Sequence, residues 1–418
     1  MDMLPSHSDV EAYLAPYGRF FSRREARGLA AGYVLGLLLE GGRKSVEPMA
    51  RLVETSGRSL QRLLTQVRWD HEGVLRAFRR RMVERYAGDG GILVIGRTVF
   101  PKRGSHSPGV ARQYIEELGR AISGQTAVDS VYVRGGTVFP WAMDLYIPTF
   151  WSRPRSPEYR LRRLKAGIPG HVRHRERWEL ALDQVDLAVN EGLAVSAVTA
   201  GMSFGRFAAF RDGLIGRGLR AIVEAPPDTE VFTREPSLRQ VRPERRGRGR
   251  PRKRLPLMEA DAPPVLISSL AAGTFQGNRG TPGVHSGADP RPAMTNSSPS
   301  GQRFLIYPGE VWPAEGYRDG ALHGPLRLAL ERPFRTGPEG GPRYYLADPF
   351  SDPGTRELAS ITRASAQALG CKNSLVRDLG LLHHEGRSWK GWHRHVTLVF
   401  LAWGFLLETT CRPGNMLA

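Results

Sequence analysis

The sequence predicts an α/β protein, with a helical N-terminal domain followed by a mixed sheet flanked by helices and a basic, disordered insertion. Three observations predict it. Apolar residues recur at helical spacing up to about residue 88, short apolar runs at strand length begin after Gly91, and periodicity disappears between about 234 and 302. The expected organisation is 1–88 as a helical DNA-binding domain and 89–225 as the first part of the core. An insertion over 226–303 and a closing part of the core with C-terminal helices over 304–410 complete it.

In order, Arg23–Leu39, Pro48–Leu64 and Glu72–Tyr86 each put apolar residues on one face and arginines opposite. Ile92–Ile95 follows a Gly-rich turn and reads as a buried strand. Thr126–Val133 and Thr137–Ile147 read as a hairpin across Arg134-Gly135-Gly136. A helix over Arg175–Glu191, a strand over Leu193–Ala200, a helix over Phe204–Ile215 and a strand over Arg220–Glu224 come next. Three meandering strands followed by crossover units match a ribonuclease-H-like core, whose first and fourth strands are expected side by side. A strand over Tyr344–Leu346 and helices over Thr355–Leu369 and Trp389–Glu408 close the chain.

Composition narrows the function. The 418 residues carry 60 Lys+Arg against 41 Asp+Glu, a net charge of +19, and only six of the basic residues are lysine. Arginine's planar fork suits phosphate oxygens and base edges, so double-stranded DNA is the expected partner. Two cysteines, Cys371 and Cys411, give neither a disulfide framework nor a zinc spacing. The longest apolar runs fall short of the roughly 20 residues a membrane span needs. With no apolar signal core, a cytoplasmic, nucleoid-associated protein is expected, with no membrane partner.

Several segments are candidates for DNA contact. Arg76, Arg79, Arg80 and Arg81 make one helix sharply basic. Arg248-Gly249-Arg250-Pro251, followed by Arg252, Lys253 and Arg254, has the form of an AT-hook, in which glycine lets the backbone lie in a narrow A·T-rich minor groove. Its alternative reading is a basic linker with no sequence preference. Arg387, Lys390 and Arg394 form a third basic face. Four histidines nearby, His383, His384, His393 and His395, lack an acidic cluster, and a structural or DNA-facing role is preferred to a metal site.

The stretch EGRSWKGWHRHVTLVFLAWGFL (Glu385–Leu406) resembles the C-terminal signature of insertion-sequence-701-type DDE transposases. RKSVEPMA (Arg43–Ala50), WDHE (Trp69–Glu72), GVARQY (Gly109–Tyr114), Gln125 and LKAGIP (Leu164–Pro169) resemble further parts of that family, in the same order. The resemblance implies a ribonuclease-H-like fold and metal-dependent strand transfer by three carboxylates. At the three corresponding positions this chain has Gly96, Gly201 and Leu369. Glycine and leucine supply no side-chain oxygen to a hard divalent cation, and Arg97 adds a positive charge beside the first position.

The resulting expectation is a transposase-derived DNA-binding protein that has lost its catalysis: a relic, a repressor of related elements or a domesticated regulator. No catalytic residue, metal or cofactor is assigned. Preference for A·T-rich DNA and a homodimer stay open. One alternative is an active transposase using Mg²⁺ with displaced ligands drawn from Asp89, Asp129, Asp144, Glu224, Asp378 and Glu385. Another is a protein-interaction scaffold.

Overall fold

The N-terminal periodicity folds into five helices, α1 (His7–Leu14), α2 (Arg24–Leu38), α3 (Val46–Leu52), α4 (Gly57–Thr65) and α5 (His71–Met82). Ser6 and Asp9 form a capping box at the start of α1, and the Asp70 carboxylate accepts from Gly73 N–H at the start of α5. Both satisfy backbone donors that a helix leaves unpaired. The single helix expected over Pro48–Leu64 is two helices. Glu54 adopts a left-handed φ of 49°, and the Thr55 N–H returns to the Ala50 carbonyl at 2.9 Å, which ends α3 and frees the chain to turn. Behind the turn α2 lies close to α3, because a Cβ on Gly36 would stand 3.0 Å from the Met49 Cβ.

After α5 come strands β1 (Gly91–Pro101), β2 (Ala111–Ile115), β3 (Arg120–Arg134) and β4 (Thr137–Leu145), all antiparallel. The long β3 pairs with each of the other three, and β3–β4 is the expected hairpin, closed by Gly135 at φ 58°. β2 had no strand-like signal, and β1 runs well beyond the expected apolar core. Helices α6 (Thr149–Ser152), α7 (Pro157–Lys165) and α8 (Arg177–Asn190) follow. Gln184 anchors α8 to the sheet by donating to the Val128 carbonyl at 3.0 Å and the Asp144 carboxylate at 2.6 Å.

Next along the chain are β5 (Val195–Ala200), α9 (Met202–Gly205), α10 (Ala208–Ile215) and β6 (Ile222–Ala225). Short strands β7 (Glu230–Phe232), β8 (Leu238–Val241), β9 (Leu257–Ala260), β10 (Val265–Leu266) and β11 (Ala293–Met294) then fall inside the segment expected to be an insertion. Their apolar pairs are too short to show a period, so ordered strands interrupt that expectation. β12 (Arg303–Pro313), β13 (Leu326–Arg332) and β14 (Arg343–Ala347) complete a seven-stranded sheet in the order β10-β7-β12-β13-β14-β6, with β11 beside β12. Val231, Ile267, Val311, Leu328 and Leu346 are part of its core. The last helices are α11 (Thr355–Arg377), two turns longer than expected, and α12 (Trp389–Thr410).

The computed structural model describes residues 5–115, 119–153, 156–241, 257–270, 293–294, 303–332, 341–350 and 354–410. The α/β chain divides into two units, Met1–Val195 with Ala366–Ala418, and Ser196–Ser365. Among the described residues no helix is long and apolar enough to cross a membrane.

Helix α12 organises the first unit, packing against α2, α4, α5 and β4. Arg394, 0% exposed, donates to the Leu63 carbonyl at 2.9 Å and the Trp69 carbonyl at 3.0 Å, with a longer contact to Leu64 at 3.4 Å. Its guanidinium stands 4.8 Å above the Trp69 ring, and burial pushes its pKa down to about 10. The neighbouring His395 donates from Nε2 to the Leu381 carbonyl at 3.1 Å, which leaves Nδ1 to accept from the Tyr33 hydroxyl at 2.9 Å. Burial holds both His393 and His395 down to about 4.

Two outcomes follow from this packing. Arg394→Met removes the donor to the Trp69 carbonyl and leaves the Leu63 carbonyl with the Trp69 indole alone, at roughly 1–3 kcal/mol for a carbonyl left unsatisfied; a fall in the urea midpoint at unchanged slope is the expected readout. The buried histidines bind fewer protons folded than unfolded. Their contribution is therefore complete above about pH 6.5 and is lost as the pH falls toward about 4. Unfolding midpoints measured across that window should slope more gently in His395→Gln than in the parent, and parallel slopes would refute the assignment.

Candidate functional site

Gly96, the first of the three positions that the resemblance aligns with a carboxylate, lies mid-strand and not at a strand end. In the β1–β3 ladder Gly96 is directly opposite Asp129, and Arg97 is opposite Val128. Opposed residues of an antiparallel pair share a face, so Asp129 and Gly96 look the same way and the Arg97 side chain lies on the other face. Lys372, from the part of α11 that belongs to the same unit, reaches this spot. Its Nζ donates to the Arg97 carbonyl at 2.9 Å and lies 3.0 Å from Asp129 Oδ1. Asp129 Oδ1 has no aligned hydrogen bond, so the contact is ionic, whereas Oδ2 accepts from the Thr98 hydroxyl at 2.8 Å. The Asp129 side chain is 3% exposed and that of Lys372 21%.

The ammonium takes the space that a side chain at position 96 would need. A Cβ on Gly96 would stand 2.8 Å from Lys372 Nζ and 3.0 Å from Asp129 Oδ1. Leu369, one turn before Lys372 on α11, is 58% exposed and offers no donor. Cys371, buried beside it, has its thiol pushed up by burial and by the Asp129 charge.

In the second unit, Gly201 follows β5 and caps the short α9. A Cβ there would be 3.9 Å from Glu224 Oε2, and one on Gly205 would stand 2.1 Å from the Glu224 carbonyl oxygen, so α9 crosses β6 at a distance only glycine permits. Burial raises the Glu224 pKa, with the Glu331 charge adding to it and Arg343 opposing. Glu331 accepts from the Tyr345 hydroxyl at 2.9 Å, and Tyr345 is the ladder partner of Glu224.

A divalent metal pair of the kind the resemblance implies needs several converging oxygens. The residues present do not fit it. Gly96, Gly201 and Leu369 supply none, Lys372 already neutralises Asp129, and among the described residues no group of three or more His, Cys, Asp or Glu is placed to hold a metal ion. The other surviving carboxylates are dispersed. Asp144 is half-buried and accepts from Gln184, Asp378 pairs with Arg377, Glu385 pairs with Arg43, and Asp89 is exposed.

The basic candidates separate into two groups. Arg79, 7% exposed, makes a two-pronged ion pair with Glu191 at 2.5 and 2.7 Å, and Arg81 makes one with Glu408 at 2.5 and 2.6 Å while stacking over Tyr13. With the buried Arg394, they are committed inside the protein, which corrects their placement on a DNA-facing surface. Arg76, Arg80, Arg387 and Lys390 are exposed, Arg80 with a local partner in Glu84. Arg248, Arg250, Arg252, Lys253 and Arg254 lie outside the described residues. The histidines are structural: His384 stacks on His395 at 5.1 Å, His393 Nδ1 faces the Trp389 carbonyl, and His383 Nδ1 accepts from Lys44 N–H. Sequence reasoning missed Lys372, although a lysine is one of only six in the chain.

A family model described as DDE superfamily endonuclease matches residues 16–281, well over half of the chain. The chain belongs to that family. No curated protein matches it.

Removing the Lys372 charge isolates Asp129 in a nearly dry position. Lys372→Met is expected to destabilise the protein toward the lower end of about 3–5 kcal/mol, and Asp129→Asn in the same background to recover part of the loss. Strictly additive effects in that double-mutant cycle would show the pair to be uncoupled.

Proposed function

We propose that this member of the DDE superfamily is a transposase-derived protein that binds duplex DNA and neither cleaves nor joins it. One observation carries the reading: a lysine ammonium fills the space beside Asp129 where position 96 would need a carboxylate. A protein cation there supplies the positive charge that such a pocket otherwise takes from metal, but it has no open coordination position and cannot activate water. The +19 charge and the exposed Arg76, Arg80, Arg387 and Lys390 support DNA as the partner. A protein of this kind would act by occupying the ends of related elements or by serving as a DNA-bound regulator in the cytoplasm, at the nucleoid. The Arg248–Arg254 run would add a preference for A·T-rich minor grooves, and a homodimer would bind paired ends.

A second reading, an active transposase with displaced ligands, draws on Glu224, whose carboxylate lies near the Gly201 position. The two separate in one set of assays. Purified protein incubated with duplex DNA and Mg²⁺ or Mn²⁺ is expected to give no nicked or joined product, and metal-dependent cleavage that survives rigorous purification supports the second reading. If about 6–10 phosphates are engaged, affinity for duplex DNA should fall by about 10³–10⁵ between 50 and 200 mM salt. A flat response would point to a protein scaffold instead.

A further inference from the structure

We propose that α3 and α4 form a helix-turn-helix whose second helix reads base edges in the major groove of duplex DNA through Arg58, Gln61 and Arg62. This rests on the DNA-binding reading above and assigns it a sequence-selective element. The spacing comes first. α3 ends at Leu52 and α4 begins at Gly57, so the turn is the four residues Val53–Ser56, with Glu54 supplying the left-handed backbone such a turn requires. α2 packs against both helices and completes a three-helix cluster.

The second observation is the division of α4 into two faces. Leu60, Leu63 and Leu64 are fully buried, whereas Arg58, Gln61 and Arg62 are exposed at i, i+3 and i+4, with Gln66 continuing the same face. These side chains have the chemistry of direct readout: arginine pairs its fork with guanine O6 and N7, and glutamine pairs its amide with adenine N6 and N7. Among the described residues neither Arg58 nor Arg62 has an ion-pair partner, in contrast to Arg79 and Arg81 of α5. Arg79 and Arg81 of α5 are thus held by carboxylates of other helices, whereas the exposed guanidiniums of Arg58 and Arg62 on α4 are not.

The third observation is support from behind. Arg394 and the Trp69 indole both donate to the Leu63 carbonyl, at 2.9 Å each, which fixes the C-terminal end of α4. A reading helix needs this stiffness, because discrimination between bases depends on side chains held at set positions. In front, the exposed face of α4 lines an open cavity of about 630 Å³, bounded also by Ser45–Glu47 and by His383–Gly386. Two carboxylates share the cavity. Glu385 is neutralised by Arg43 at 2.6 Å, and Glu47 abuts Gly57 at the start of α4, where the helix dipole favours an anion.

The test uses the full-length protein and a pool of duplexes with a randomised segment. The parent is expected to enrich a base motif. Arg58→Ala, Gln61→Ala and Arg62→Ala are each expected to lose roughly 5- to 100-fold discrimination at one base position. Arg239→Ala, an exposed arginine of β8 paired with Glu259, serves as the surface control and should leave the motif intact. All three α4 residues are exposed, so melting temperatures should match the parent and separate lost readout from lost folding. If the parent enriches a motif that all three variants retain, α4 is not the reader while DNA binding stands. Salt-sensitive binding by the parent with no motif overturns the inference in the same way, and no salt-sensitive binding at all overturns the underlying reading.

Discussion

The first unit depends on a buried guanidinium. Arg394 lies on the last helix, with no exposed surface, and its two terminal nitrogens donate to backbone carbonyls near the end of α4 and at Trp69. Desolvating a cation is costly, and the pKa lowered to about 10 records that cost. Carbonyl acceptors and the face of the Trp69 ring offset it. The result ties the last helix to the N-terminal helices: α12 packs on α2, α4, α5 and β4, and Arg394 joins the Trp69 indole in holding the end of α4. His395 extends the same seam through Tyr33 to α2. The His-Arg-His run, which has the look of a charged surface in sequence, is thus the polar lining of a core.

The fold was legible where one period ran long enough to be counted. Arg23–Leu39 became α2 within a residue at each end, and the Thr126–Ile147 hairpin formed across the expected Gly135 turn. Errors arose where a local signal was short or shared. Pro48–Leu64 kept a helical period through its turn, so the break was visible only as Thr55-Ser56-Gly57, a sequence that also suits a helix start. β7, β9 and β10 present two or three apolar residues each, below any period. Of the candidate site, Gly96, Gly201 and Leu369 were singled out by resemblance alone, and the lysine beside Gly96 was not visible at all. Lys372 meets Asp129 through a helix and a strand far apart in sequence, and no local pattern encodes that meeting.

The same reasoning explains how a run of charge misled. Arg79 and Arg81 look free in sequence because the acids that hold them lie more than a hundred residues away along the chain. Their partners, Glu191 and Glu408, arrive from α8's C-terminal end and from α12. Sequence counts record charge; only the fold records which charges are already neutralised. For a chain of this basicity the distinction decides which surface offers a field to a polyanion.

The Gly96–Lys372 arrangement also has an evolutionary consequence. A Cβ at 96 would meet the end of the Lys372 side chain, which is flexible and can yield, so the cost of a change at 96 lies in drawing the ammonium away from Asp129 rather than in the backbone. The two positions are coupled through that carboxylate: a side chain at 96 displaces its cation, and a lone loss of Lys372 strands it. Positions distant in sequence thereby become a single heritable character, and descendants would be expected to exchange the two together or keep both.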